Sequence, residues 1–408
     1  MSADDLNASF RATSYPVRLH AGHEALTQIA AEAKRLGASR AFVICGRTVA
    51  TRTNTIERIA AVLGPSLVGT FTEMDKDSSW TAVAACVAAA RELEPDLLIA
   101  VGGGSVIVGT RVVSILLSEA GDPYDLMTQY PENAPAHSPR LTAPKIPIFN
   151  VVTTPTSAMN RGGSALKNDA LDHRMEFYDP KTRPAALFWD AQALLTAPTE
   201  LIRSTATTTF CGALRALGAE NMNPLLEGNR RQAFRLVRRA LPRIMDEPDN
   251  AALRVDLCAA AFLDNRSADD DLGRRRERDD VGARCYALAT ALHIRYQHVW
   301  QGESTSCLLP TVTRKVAPAN PEHARRIAEA LQINLEGMTP QSVAEATAGE
   351  LDRLFEQIGM PSRLSQVNVP RDELALLAND TLKNFNANPG MRSDTYVQDM
   401  IDLLEAAW

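Results

Sequence analysis

Two short stretches carry most of the chemistry readable from the chain. The first is AVGGGSVIVGTR, residues 100–111. An apolar run ends at Val101, three glycines follow, and a helix is predicted to begin near Ser105. Glycine lets the backbone take positive φ and come close to a ligand. The opening turn of a helix offers unpaired N–H groups and a partial positive charge, which suits a pyrophosphate. Gly103, Gly104 and Ser105 are therefore candidate phosphate contacts, and Ser105 can also cap the helix. The same residues also serve a bare strand-to-helix turn, and the spacing is not the G-x-G-x-x-G of the usual dinucleotide fingerprint. The second stretch is VVTTPTSAMNRGGS, residues 151–164. Thr153, Thr154, Thr156 and Ser157 can line a phosphate or a ribose, or simply build a turn. Two such exits in one parallel sheet strengthen the ligand reading, because open α/β sheets bind ligands at the carboxyl ends of their strands.

The elements that must position these residues follow from periodicity. RAFVICG (40–46), DLLIAVGGGS (96–105), IPIFNVVTTPTS (146–157) and PAALFWD (184–190) read as buried strands. VAACVAAARELEP (83–95) reads as a helix stopped by its proline. Strands alternating with Ala-rich helices predict an α/β domain with a parallel sheet over residues 1–192. After about residue 195 helical spacing dominates, as in LIRSTATTTFCGALRAL, RRQAFRLVRRALPRIM, GARCYALATALHIRYQ and SVAEATAGELDRLFEQIG. No strand candidate of comparable quality appears there, so an all-α domain is predicted over residues 193–408. The mixed-charge run DNRSADDDLGRRRERDD (264–280) reads as a solvated loop or a frayed helix end.

Composition narrows the function. The 408 residues are 45% hydrophobic and 23% charged, ordinary for a globular protein large enough for two domains. A net charge of -6 argues against nucleic acid as a main partner, since phosphate binding needs concentrated positive charge. No apolar run approaches the roughly 20 residues that span a bilayer. The opening MSADDLNASFRATSYP is too polar and acidic for a signal peptide. Six cysteines, at 45, 86, 211, 258, 285 and 307, form no C-x-x-C pair. Free thiols in a reducing cytoplasm are the expectation.

Five stretches, taken in order, resemble the iron-containing alcohol dehydrogenase family, whose relatives include glycerol dehydrogenase, maleylacetate reductase and dehydroquinate synthase. PDLLIAVGGGSVIVGTR is similar to that family's strand and G-G-G-S turn, and VVTTPTSA to its P-T-T-x-G-T exit. RPAALFWDAQALLTAPTELIRST resembles the segment between its two domains, HVWQGESTSCLLPTV its H-G-E-x-x-x-x-x-L-P segment, and NFNANPGMRSDTYVQDMIDLLEAAW its C-terminal helix. The resemblance implies an N-terminal dinucleotide-binding domain, a C-terminal helical domain and a cleft between them. It implies hydride transfer with NAD or NADP on a small-molecule substrate, by a monomer or a homodimer.

The family's metal ligands are an Asp and a His four apart on one helix, then two further His. Here the matching positions hold Gly212, Ala216, Cys285 and Gln301, so no metal is expected. Where the family often holds the ribose with an Asp, this chain has Gly46 followed by Arg47, which leans toward NADP. Without a metal, an imidazole or a cation must stabilise charge on oxygen or carry the proton. His298, three residues before Gln301, and Arg161, after the Thr-rich exit, are the candidate catalytic residues. Arg174 is a candidate nucleotide contact. His293, Asn160, Lys167, His173, Arg215 and the run Arg274–Arg276 are further polar groups with a place near the cleft. Cys285 also reads as a small buried apolar residue. Loss of all four ligands also suits a non-catalytic subunit that binds a nucleotide, and the kinship with dehydroquinate synthase suits a lyase or cyclase.

Overall fold

The computed structural model describes residues 10–132, 134–219, 222–269, 281–385, 388–389 and 394–408. The arginine run 274–276 lies outside them. Six strands form one sheet in the order β1 (Arg18–Gly22), β8 (Ala186–Asp190), β5 (Ile148–Val152), β4 (Leu97–Gly102), β2 (Ala41–Cys45) and β3 (Leu67–Phe71). Every neighbouring pair is parallel. The four strands read from the sequence are β2, β4, β5 and β8, all fully buried. Both edge strands were absent from that reading. RLHAG and LVGTF are half-exposed and mix polar and small residues, so they lack the continuous apolar run of a strand covered on both faces.

Helices cover the two sheet faces: α1 (Ile29–Leu36), α2 (Arg47–Arg52), α3 (Thr55–Leu63), α4 (Trp80–Leu93) and α5 (Gly104–Ser118). An antiparallel hairpin, β6 (Gly163–Leu166) with β7 (Met175–Tyr178), projects after the Thr-rich exit. From Thr199 onward helices prevail: α6 (Thr199–Leu217), α7 (Leu226–Ala240), α8 (Ala251–Asp269), α9 (Val281–Arg295), α10 (Gln301–Val316), α11 (Pro321–Ala330), α12 (Pro340–Gln357) and α13 (Asp394–Ala407). Among the described residues of this half, the one strand pairing is a two-residue ladder, Lys383–Asn384 against Asn388–Pro389. No helix among the described residues is long and apolar enough to cross a membrane.

The register places the site. Cys45 is level with Val101, and Gly102 with Val152, so three strand exits open at one edge of the sheet. The chain leaves β2 for the outer strand β3 and returns to β4 on the other side of β2. That reversal opens a crevice at the carboxyl ends of β2 and β4, where open sheets bind ligands.

The edge strand β1 is held by charge. Glu32 of α1, almost fully buried, accepts from Arg18 Nε and Arg35 Nε at 2.6 Å each and bonds His20 Nε2 at 2.9 Å. Burial raises its pKa, but the bonds from Arg35, Arg18 and His20 outweigh burial and hold the carboxyl at about 2. A depressed carboxylate stabilises the fold above its unfolded pKa, near 4.5, and that contribution fades as pH falls toward 2. Glu32→Gln should therefore lower stability at neutral pH by roughly 1–3 kcal/mol. The gap to wild type should narrow below pH 4.5, as urea unfolding at several pH values would show.

Candidate functional site

The glycine turn is a built cradle. Gly102 sits at φ 156°, and its carbonyl accepts from Thr153 N at 3.1 Å, which ties the two exits together. A Cβ on Gly103 would stand 3.1 Å from Thr154 Oγ1, and one on Gly104 3.0 Å from Thr156 Oγ1. Bare backbone at the start of α5 thus faces a wall of hydroxyls, an arrangement suited to phosphate. Ser105 Oγ accepts from Asp77 N at 3.0 Å, and the Ser105 carbonyl accepts from Ser78 Oγ at 2.5 Å. Asp77 and Ser78 both adopt left-handed backbone, at φ 62° and 51°, conformations that surrounding contacts must impose. Asp77 Oδ2 is buried with no hydrogen-bond partner among the described residues. The sequence reading missed this loop, because the strain arises only when β3 and α5 press on it.

The other nucleotide candidates are dispersed. Gly46 opens α2, and the exposed guanidinium of Arg47 pairs with Glu73. Arg174, in the β6–β7 hairpin, donates to the Ala165 carbonyl and leaves a buried Nε without a partner among the described residues. It stands near His293, which burial, followed by the charge of Arg174, pushes down to about 4. His293 is therefore neutral at pH 7, with Nδ1 donating to the Ala289 carbonyl at 2.9 Å.

Next to the cradle lies a pocket open to solvent and walled by both halves of the chain. Ser157 and Arg161 enter from the Thr-rich exit; Gly212, Arg215, Asp264, Cys285, Tyr286 and Gln301 come from α6, α8, α9 and α10. The structure thus brings Arg161 together with three of the four positions read from the metal pattern. Ala216 is not part of the lining. His298 is also outside it, which corrects the sequence expectation. Its ring is exposed, and Nε2 bonds the Val367 carbonyl at 2.9 Å. The reason is that α9 ends at Arg295 and α10 begins at Gln301, so His298 sits in the outward connection between them.

Close backbone approaches shape the walls. A Cβ on Gly302 would fall 2.0 Å from the Ser204 carbonyl oxygen, so only glycine lets α10 press on α6 and present Gln301. A Cβ on Gly282 would overlap Arg215 Cδ at 1.7 Å, so the arm of Arg215 lies across that glycine. Its length and the bare Gly282 bring Arg215 into the pocket. Asn265, buried in α8, donates to the Ser157 carbonyl at 2.9 Å and accepts from Arg161 Nε at 2.5 Å. Behind it, fully buried Arg111 donates to the Arg161 carbonyl. Burial, then the charges of Arg161 and Arg183, push Arg111 down to about 9.

The sequence pattern of the iron-containing alcohol dehydrogenases matches residues 16–191, and that of their C-terminal domain, described as "Fe-containing alcohol dehydrogenase family, C-terminal", matches residues 204–408. The chain belongs to the iron-containing alcohol dehydrogenase family. The 1,3-propanediol dehydrogenase of Klebsiella pneumoniae is 25% identical over 370 residues, covering 90% of this chain and 91% of that protein. The maleylacetate reductase of Sphingobium indicum is 25% identical over 381 residues, covering 92% and 91%. The fold is shared with the alcohol dehydrogenase from Oenococcus oeni, at a TM-score of 0.82, 19% identity and coverage of 98% and 100%. It is also shared with the maleylacetate reductase from a Rhizobium species, at 0.71, 20% identity and coverage of 98% of both chains.

The family's usual iron does not fit the donors present. Gly212 and Ala216 offer no donor, Gln301 is a weak one, and burial pushes the Cys285 thiol up to about 12. Among the described residues no three His, Cys, Asp or Glu side chains gather as ligands. A Cβ on Gly212 would stand 3.2 Å from Asp264 Oδ2, so the carboxyl of Asp264 fronts the place of the missing side chain.

Asn265→Ala should unseat Arg161 and the Ser157 carbonyl together. Expected are a loss of about 1–3 kcal/mol in urea unfolding, from unpaired buried groups, and weaker binding of any ligand that Arg161 contacts.

Proposed function

We propose that this chain is a nicotinamide-dependent oxidoreductase of the family that works without a metal ion. Its substrate would be a small carbonyl or alcohol, or an activated alkene. The observation that carries the reading is the adjacency of the Gly102–Ser105 cradle to a pocket holding Arg161, Arg215 and Asp264. Gly103, Gly104, Ser105, Thr153 and Thr154 would hold the dinucleotide phosphates. A nicotinamide bound there supplies or takes up a hydride. The protein's own groups do the rest. Arg161, fixed by Asn265, offsets charge on the substrate oxygen, the electrostatic role a metal has in relatives, and Arg215 adds a second cation to the pocket. Asp264 and Tyr286 are the pocket groups that can pass a proton to that oxygen.

The lean toward NADP rests on Arg47, whose guanidinium must leave Glu73 to meet a 2′-phosphate. The names of the relatives, a propanediol dehydrogenase and a maleylacetate reductase, support a small carbonyl or alcohol. A cytoplasmic monomer or homodimer completes the proposal.

Titration of the purified protein with NADH and NADPH, followed by nicotinamide fluorescence, tests the reading together with elemental analysis for iron and zinc. Saturable binding with metal well below one ion per chain is the expected result. Absence of binding to either nucleotide would sink the oxidoreductase reading, and one tightly held iron or zinc per chain would sink its metal-free part. In the same titration Gly104→Val should weaken nucleotide binding about tenfold or more, since its side chain would crowd the Thr156 hydroxyl.

A further inference from the structure

The charge inside the pocket is not what a neutral alcohol needs. Among the described residues its charged lining is Arg161, Arg215 and Asp264, an excess of one positive charge. The side chains of Arg215 and Asp264 make no hydrogen bond or ion pair among the described residues. Arg161 commits Nε to Asn265 and leaves both terminal nitrogens without a partner among the described residues. Asp264 therefore neutralises neither guanidinium by direct contact. Two half-buried guanidinium groups with free terminal donors face a pocket of mixed polar and apolar lining, where an entering anion can pair with them. A planar guanidinium fork matches an oxyanion with two parallel hydrogen bonds.

The pocket is shaped around one of these arms. Arg215 enters because residue 282 has no side chain. Buried Cys211 and Cys285 both lie within the electrostatic reach of its charge. Arg161 stands at the other wall, on the exit that continues from the nucleotide cradle.

We propose that the substrate is a carbonyl compound bearing a separate oxyanion, a carboxylate or a phosphonate, held by Arg215 while its reactive oxygen faces Arg161. This rests on the oxidoreductase reading above and adds the substrate class. In the reducing direction the carbonyl carbon gains a hydride from the reduced nicotinamide and the oxygen gains a proton. The products are the hydroxy acid, or its phosphonate counterpart, and the oxidised nucleotide. Sequence reading had no access to this charge, because Arg215, Gly282 and Arg161 meet only through packing.

The test uses the full chain saturated with NADH or NADPH and the unreactive probes succinate, methylphosphonate and neutral succinamide, followed by calorimetry. Wild-type protein is expected to bind at least one anionic probe about tenfold or more tightly than succinamide, and Arg215→Gln to remove most of that preference. Whichever anion binds identifies the source of the charge. Gly282→Ala, which keeps the guanidinium but blocks its seat, should weaken the same probe and serves if Arg215→Gln fails to fold. With succinate semialdehyde and butanal as matched substrates, kcat/KM should favour the acid by about tenfold or more, mostly through KM. Equal binding of charged and neutral probes, or no effect of either variant, would overturn the substrate class. Nucleotide binding without anion preference removes this proposal and leaves the oxidoreductase reading. Anion binding without nucleotide binding would overturn the oxidoreductase reading and this substrate class with it.

Discussion

The amide of Asn265, buried in α8, bonds the Ser157 carbonyl and Arg161 Nε, and the geometry of the site hangs on that contact. It joins a helix of the second half to the strand exit of the first. Neighbouring bonds reinforce it: Thr209 Oγ1 donates to the Pro155 carbonyl, and Arg183 grips Asp269 through two hydrogen bonds at 2.7 and 2.9 Å. A buried amide bonded on both sides is costly to break, because each loosened partner is left dry and unpaired. The joint therefore holds Arg161 at one angle to the pocket. It also fixes the distance between the glycine cradle and the helices that close the pocket.

Electrostatics then shapes what the pocket admits. Arg111 is buried behind the exit, close enough to Arg161 and Arg183 for their charges to push its pKa down. The protein tolerates this cluster because Arg111 and Arg183 donate to carbonyls and Arg183 also meets a carboxylate. Arg161 and Arg215 keep donors in hand.

At the first position of the family's ligand pattern Gly212 brings no side chain, and Asp264 and the arm of Arg215 line the pocket beside it. The helices and the sheet remain where the family has them, as TM-scores of 0.82 and 0.71 against solved relatives attest.

Much of this was legible in the order of residues. Buried central strands read as continuous apolar runs, and the glycine turn read as a strand exit into a helix. Edge strands β1 and β3 were not legible, since one exposed face breaks the apolar pattern. His298 was misplaced because chain distance to Gln301 says nothing about which way a connection faces. Asp264 read as the start of a solvated loop or a frayed helix end, and it stands on α8, in the pocket. Local backbone demands, such as glycine at a positive φ or hydroxyls after a strand, are written residue by residue, and the sequence alone determined them. The company of Arg161, Arg215 and Asp264 depends on how α6, α8 and α9 pack around two glycines and one buried amide. Only the tertiary structure could decide it, because those contacts join residues more than fifty positions apart.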